Sequence, residues 1–438
     1  MEDNDGRLKT ETMSALERII SLSRAAWLNR RAMINSPKVN RFGWVSRWFQ
    51  VLVIIGFVFS FFGAIGGGYI HVLPSLSRPF FQRQGLFNHE ESQGDCDVSN
   101  GSWVRVHFRG YPWYNASECP FVEQGFNCLA NGRSDDDYLH WRWKPKNCDV
   151  PLFDVRSILE MFRSKRIVFV GDSMSRTQWE SLICMLMAGV DDKNSVYEVN
   201  QNKITKRIRF LGVRFSSFNF TVEFFRSVFL VQQGPGPDDA TGMVKSTLKL
   251  DTIDDISDQW IDSDVLIFNT GHWWLPSKLF ETGCYFQVGS SLKLGMSIPA
   301  AFRLALDTWS SWIDRNINKS RTRVFFRTFE PSHWSDETRR TCSVSQYPTF
   351  ETDGKDKNLF SNIVLEVVKN VTVPINVLHV TFMLAFRSDA HVGNWSDNPL
   401  FPDCSHWCLP GVPDVWNEIV LSQLFTHNIN QQSELDDL

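Results

Sequence analysis

From Val51 to Ile70 the chain runs twenty residues without a charged side chain, enough to cross a bilayer core of about 30 Å. Residues 21–47, just before it, carry Arg24, Arg30, Arg31, Lys38, Arg41 and Arg47 and no acid. A basic flank of this kind stays in the cytosol and directs the downstream chain to the far side. All nine cysteines (Cys96, Cys119, Cys128, Cys148, Cys184, Cys284, Cys342, Cys404 and Cys408) come after the apolar run, as expected of disulfides in an oxidising compartment. So do six N-x-[S/T] sequons, at Asn100, Asn115, Asn219, Asn318, Asn370 and Asn394, each a candidate for glycosylation. The run starts far from Met1 and is longer than the apolar core of a cleaved signal peptide. A single-pass type II signal anchor over 49–70 is therefore expected, with a basic cytosolic tail (1–48) and a lumenal remainder.

Beyond the anchor the sequence divides further. Residues 71–94 read as a stem. Residues 95–150 hold four cysteines among clustered aromatics, a stapled, loop-rich segment rather than an independent apolar core. From 151 to 430 short apolar strands alternate with helices: a helix over 154–165, a strand in RIVFVGDS, then a helix closed by Gly189. Further strands are expected at 264–269, 323–329 and 375–381, and helices at 298–317 and 412–429. This order predicts an α/β fold with a largely parallel sheet flanked by helices, whose active-site groups collect at the strand ends. Residues 431–438 form an acidic tail. A net charge of −4 argues against non-specific nucleic-acid binding. The 17 Trp and 35 Phe supply flat rings for packing or for stacking on sugars.

In VGDSMSRTQW, Ser173 stands where a buried strand turns into a helix. Its hydroxyl projects from the sheet edge, and N–H groups at the helix start can face an oxyanion; taken alone, a serine there is more often a helix cap. Gly171 permits the tight turn, and Asp172 accepts backbone hydrogen bonds. A nucleophilic serine needs a base and an orienting acid. DCSHWCLP offers His406 with Asp403 three residues earlier, bracketed by Cys404 and Cys408. The pair Asp389 and His391 competes for the same role. A metal reading of D-C-S-H-W-C fits poorly with ligand spacing, so no metal is expected.

GDSMSRTQWESL together with DCSHWCLPGVPDVWNE resembles the plant trichome birefringence-like family, whose members are similar to SGNH/GDSL esterases. CPFVEQGFNCLANGRSDDDYLHWRWKPKNCDVP is similar to that family's cysteine-rich N-terminal segment. The resemblance covers roughly 95–429. It implies an SGNH/GDSL-hydrolase-like catalytic domain in the Golgi membrane that moves acetyl groups onto xylan, mannan, xyloglucan or pectin hydroxyls. No bound cofactor is implied, only an acetyl donor (acetyl-CoA or another carrier); other Golgi acetylation proteins are possible partners. Ser173 would be nucleophile, His406 base and Asp403 its orienting partner. Arg176 matches a family arginine near the site, and Asn269 in NTGHWW a position whose amide helps hold the oxyanion. The family's cysteine pattern implies the pairs 96–148, 119–184, 128–408 and 342–404, leaving Cys284 free. The loops FRTFEPSHWSDETRRTC and LAFRSDAHVGNWS depart from the usual family form, and both are expected to border an acceptor groove. Trp273, Trp274 and Trp407, with Trp334 and Trp395, lie near the candidate site loops and could stack on sugar; each taken singly is more often a core residue, and one or two of the group are expected to touch substrate. The same trio would also serve a polysaccharide acetyl esterase, and a non-catalytic wall-polysaccharide binder is the alternative from another class.

Overall fold

The computed structural model describes residues 96–106, 111–152, 154–237 and 242–436. The expected tail, anchor and stem lie outside the described residues. Among those described, no helix is long and apolar enough to cross a membrane.

In chain order, the cysteine-rich segment supplies a hairpin of β1 (Gly101–Arg105) and β2 (Trp141–Pro145), separated by single turns of 3₁₀ helix. Helix α1 (Val155–Met161), β3 (Arg166–Gly171) and α2 (Ser173–Met187) come next. They lead to β4 (Val196–Glu198), β5 (Phe210–Phe215), β6 (Phe220–Arg226), β7 (Val231–Pro235), β8 (Ser246–Ile253), β9 (Val265–Phe268), β10 (Cys284–Val288) and β11 (Ser291–Leu292). Helix α3 (Ile298–Asn316), β12 (Arg323–Arg327), α4 (Leu359–Val368), β13 (Ile375–Leu378) and the short α5 (Thr381–Leu384) precede β14 (His391–Gly393), β15 (Asp403–Trp407) and α6 (Val412–Asp436).

The main sheet has seven strands in the order β13-β12-β9-β3-β6-β5-β4. Its first five run parallel, β5 runs antiparallel to them, and β4, antiparallel to β5, runs with them again. A second sheet, β11-β10-β8-β7, packs alongside. Strands β3 and β9, at the centre, are apolar on both faces because both faces are covered. Ile167 and Phe169 of β3 point into a core shared with α2 and α6, whereas Val168 and Val170 join the core under α3 and α4. The antiparallel strands and the second sheet were not expected from the sequence. Most of their residues alternate between apolar and polar over short stretches, a weaker signal than the continuous runs of β3 and β9.

Several expected bounds change: α6 continues to Asp436, through most of the expected acidic tail, while β12 stops at Arg327, β13 at Leu378 and α1 at Met161. The cysteine-rich segment has no core of its own. Tyr114, Tyr138 and Trp143 bury into the core of α2 and α6, and the described residues form one compact unit. The disulfides join Cys96 to Cys148, Cys119 to Cys184, Cys128 to Cys408 and Cys342 to Cys404, with Cys284 free and buried. All six sequon asparagines are exposed. The chain leaves β3 towards β6 on one side and later returns to β9 on the other. That reversal is where open α/β sheets form their binding crevices.

Candidate active site

Ser173 is the first residue of α2, directly beyond the end of β3. The turn between them is tight. A Cβ on Gly171 would lie 2.1 Å from the Asn269 side-chain oxygen and 2.6 Å from its carbonyl oxygen, so the two chains approach this closely only with glycine here. Asp172 caps the helix, its Oδ1 accepting from the Met174 N–H at 2.9 Å. The Ser173 N–H has no acceptor among the described residues, and it points from the positive end of a fifteen-residue helix. Such a donor suits a developing oxyanion.

His406 arrives from the opposite end of the chain. Asp403 opens β15, and its Oδ1 accepts from the backbone N–H groups of Ser405 (3.0 Å) and His406 (2.9 Å). That turn leaves Oδ2 to accept from the His406 Nδ1–H at 2.7 Å. The other ring nitrogen, Nε2, accepts from the Ser173 hydroxyl at 2.7 Å. Burial opposes charge on both members of the pair, but their mutual attraction outweighs it. Asp403 is held well below the usual carboxylate range, and His406 is raised above the ordinary imidazole 6.5. All three side chains line a cavity of about 650 Å³.

A general base must be neutral to take the serine proton. The rate of Ser173 acylation should therefore climb with pH along a limb centred above 6.5. Asp403→Asn removes the raising charge and leaves burial in control, so that limb should move to lower pH while the rate drops by about 10⁴. A pH–rate profile of both proteins checks this. An unmoved limb in the variant would mean that another group titrates.

The competing pair is placed elsewhere. Asp389 is fully buried and forms two hydrogen bonds with Arg387, at 2.8 and 3.0 Å. Both ring nitrogens of His391 are engaged, one by the His406 carbonyl oxygen (2.9 Å) and one by His333 Nδ1 (2.8 Å). His391 therefore braces the backbone of His406 from behind. The second departing loop contributes Ser396 to the cavity, followed by Asp397 just past the end of the loop, and keeps its Arg387, Asp389 and His391 buried away from the lining. The first contributes Ser332, Trp334 and Arg339.

Asn269 corrects an expectation. It is buried and does not line the cavity. Its Nδ2 donates to Asp172 Oδ1 at 2.9 Å and its Oδ1 accepts from the Asp172 N–H at 3.3 Å. The amide thus braces the turn under Ser173 instead of presenting a donor to substrate. Asp172 Oδ2 already lacks a partner among the described residues, so Asn269→Ala should cost about 1–3 kcal/mol of stability and lower turnover together with it. Calorimetric melting beside kinetics checks this. A rate loss with an unchanged melting point would restore the oxyanion assignment.

Trp274 and Trp407 are corrected as well: both are fully buried. Trp274 donates to Thr270 Oγ1 and packs edge-on against Phe229 and Phe302. Trp407 stacks on His391, ring centres 3.9 Å apart. Both large apolar rings were drawn into the core, where they remove the most surface from water. Trp273 and Trp334 do line the cavity, and Trp395 does not; its ring packs against Arg133.

Arg176 lines the cavity and is nevertheless firmly paired. It bonds Glu180 at 2.6 Å, forms an ion pair with Glu123, and lies over the Phe126 ring. Phe126 in turn stacks on His406, ring centres 5.3 Å apart. Sequence reasoning missed Glu123, Phe126 and Glu180. Their signal was the placement of Glu123 and Phe126 between Cys119 and Cys128, whose partners lie on α2 and beside His406. It also missed His272, which lines the cavity with Nε2 3.2 Å from Glu330 and its ring stacked on Phe329. Among the described residues no cluster of His, Cys, Asp or Glu has the arrangement of a metal site.

Residues 150–423 match the family model described as PC-Esterase, the GDSL/SGNH-like acyl-esterase family found in Pmr5 and Cas1p. Residues 94–149 match the PMR5 N-terminal domain. The chain is 63% identical to trichome birefringence-like 7 of Arabidopsis thaliana over 392 residues, covering 89% of this chain and 87% of that protein. It is 40% identical to Arabidopsis trichome birefringence-like 9 over 379 residues, with 82% and 90% covered. Trichome birefringence-like 6 from the same plant is 39% identical over 339 residues, with 75% and 70% covered.

Proposed function

The chain belongs to the trichome birefringence-like family, and on that premise we propose that it is an O-acetyltransferase acting on hydroxyls of cell-wall polysaccharide. The observation that carries this reading is the unbroken line from Asp403 through His406 to the Ser173 hydroxyl, each step 2.7 Å, at the wall of an open cavity.

The reaction is a double displacement. Nε2 of His406 takes the Ser173 proton as Oγ attacks the acetyl carbonyl of the donor. The oxyanion meets the Ser173 N–H, and one such donor typically contributes about 2.7–4 kcal/mol. His406 returns its proton to the departing carrier, leaving acetyl-serine. A sugar hydroxyl then gives its proton to Nε2 and attacks the acetyl carbon, and Ser173 recovers its proton as its bond to the acetyl group breaks. Transfer prevails over hydrolysis when the acceptor hydroxyl is positioned better than water.

The donor is acetyl-CoA or another acetyl carrier, and no cofactor is part of the chemistry. The setting is the Golgi lumen, with the chain anchored through residues 49–70 and working beside other acetylation proteins. The exposure of the six sequons fits glycosylation there. Incubation with a labelled acetyl donor, with and without deacetylated polysaccharide, tests the reading. Label moving to polysaccharide through Ser173 is expected. Label released only as acetate, whatever acceptor is added, would make the protein an esterase.

A further inference from the structure

The charges that line the cavity are not balanced. Arg176 is held by Glu123 and Glu180, and Asp403 by His406. Lys206, Arg226, Lys278 and Arg339 also line it, and their side chains form no ion pair with an acid among the described residues. Only Asp397 stands as an unpaired carboxylate against them.

Arg226 is the most informative of the four. It ends β6 and lies in register with Gly171 of β3, two residues from Ser173. Unlike the three exposed cations it is half-buried. Its guanidinium carbon sits 5.0 Å from the centre of the Trp273 ring, and the Lys278 ammonium lies 5.2 Å from the same ring. Burial, together with the Arg176 and Arg209 charges, lowers its hold on its proton; the charge of Asp172 opposes this without forming an ion pair. A guanidinium taken partly out of water without an acid is costly. A ligand anion reaching it there would meet a planar, desolvated fork that suits a carboxylate. Trp273, expected to stack on sugar, already carries two cations and holds them at the cavity wall. Phosphate on a donor would meet the same chemistry. The spread of Lys206 and Arg339 around the same cavity favours a polymer with repeated charges.

Building on the function proposed above, we propose that the acceptor is a glycan bearing uronate carboxylates, one of which Arg226 and Lys278 hold beside Trp273 while a neighbouring hydroxyl faces Ser173. The test uses the full chain with an uncharged donor, 4-nitrophenyl acetate. The acceptors are an oligogalacturonide and the same oligosaccharide with its carboxylates reduced to alcohols. The wild type should show a KM about tenfold lower for the charged acceptor, with kcat changed little. Arg226→Gln with Lys278→Gln should erase that difference, and Arg226→Lys should keep part of it.

Equal KM values for the two acceptors in the wild type would overturn the inference, as would a tenfold preference that survives in the double variant. A second arm replaces the neutral donor with acetyl-CoA. A variant defect that tracks this donor and leaves the acceptor preference intact would assign the cluster to phosphate and overturn the uronate assignment. Binding of both oligosaccharides is also monitored by tryptophan fluorescence, which needs no turnover. Absence of acetyl-serine with every donor would count against the proposed function. Equal binding of the two oligosaccharides would count against the uronate site.

Discussion

Ser173→Ala and His406→Ala should each lower acetyl transfer by on the order of 10⁶-fold, and the double variant should be no worse than either single one. The reason lies in the geometry. The serine hydroxyl donates to one ring nitrogen at 2.7 Å and Asp403 accepts from the other at the same distance, so base and nucleophile act as one device. Removing the hydroxyl leaves the imidazole nothing to activate; removing the imidazole leaves a hydroxyl whose proton has nowhere to go. What survives is substrate positioning and the N–H at the start of α2, which act with or without the device. Transfer rates for the two singles and the double check this. Multiplicative losses in the double would mean that serine and histidine contribute to separate steps.

Loss of the Cys128–Cys408 disulfide should lower both stability and activity. His406 sits between Cys404 and Cys408, bonded to Cys342 and Cys128. Those two links pin both ends of the strand that carries the base, and the second brings the Phe126 ring against it. Replacing both Cys128 and Cys408 by Ser should cost about 2–5 kcal/mol of stability. At temperatures where the variant stays folded, transfer should still fall by about 10²-fold, because small misplacements of reacting groups cost that much. The pair Cys96–Cys148 closes the cysteine-rich segment upon itself. Its replacement should lower the melting temperature and leave the rate of the folded protein nearly unchanged. Melting curves and rates of the two double variants, measured side by side, separate the effects. Full activity without Cys128–Cys408 would show that the antiparallel pairing of β15 with β14 holds His406 unaided.

The parts of this architecture that could be read in advance are those specified locally. RIVFVG is apolar at every position except its first and last, as a strand covered on both sides must be, and GDS leading into a helical pattern fixes where the nucleophile stands. Asp403 and His406 were legible as a pair because the turn joining them is only three residues long. The contact between Ser173 and His406, 233 positions apart, is not a local property and came from family likeness. The failures have the same origin. Asn269 was assigned by motif, but its amide orientation is decided by a buried carboxylate, Asp172, that competes for it. Trp274 sits in the loop after β9 and Trp407 ends β15, both in polar-looking sequence, yet the core formed by other parts of the chain claims them. The charge imbalance around Arg226 could not be seen in the sequence, where acids are abundant; it exists only once the fold has directed them elsewhere.

The central claim is that acetyl groups pass through Ser173. Its most direct measurement is mass spectrometry of the protein quenched after mixing with donor alone, and again after polysaccharide is added. An acetyl group on the peptide carrying Ser173, discharged on addition of acceptor, is the result expected. An active preparation whose acetyl group is found on another residue, or on none, would contradict it.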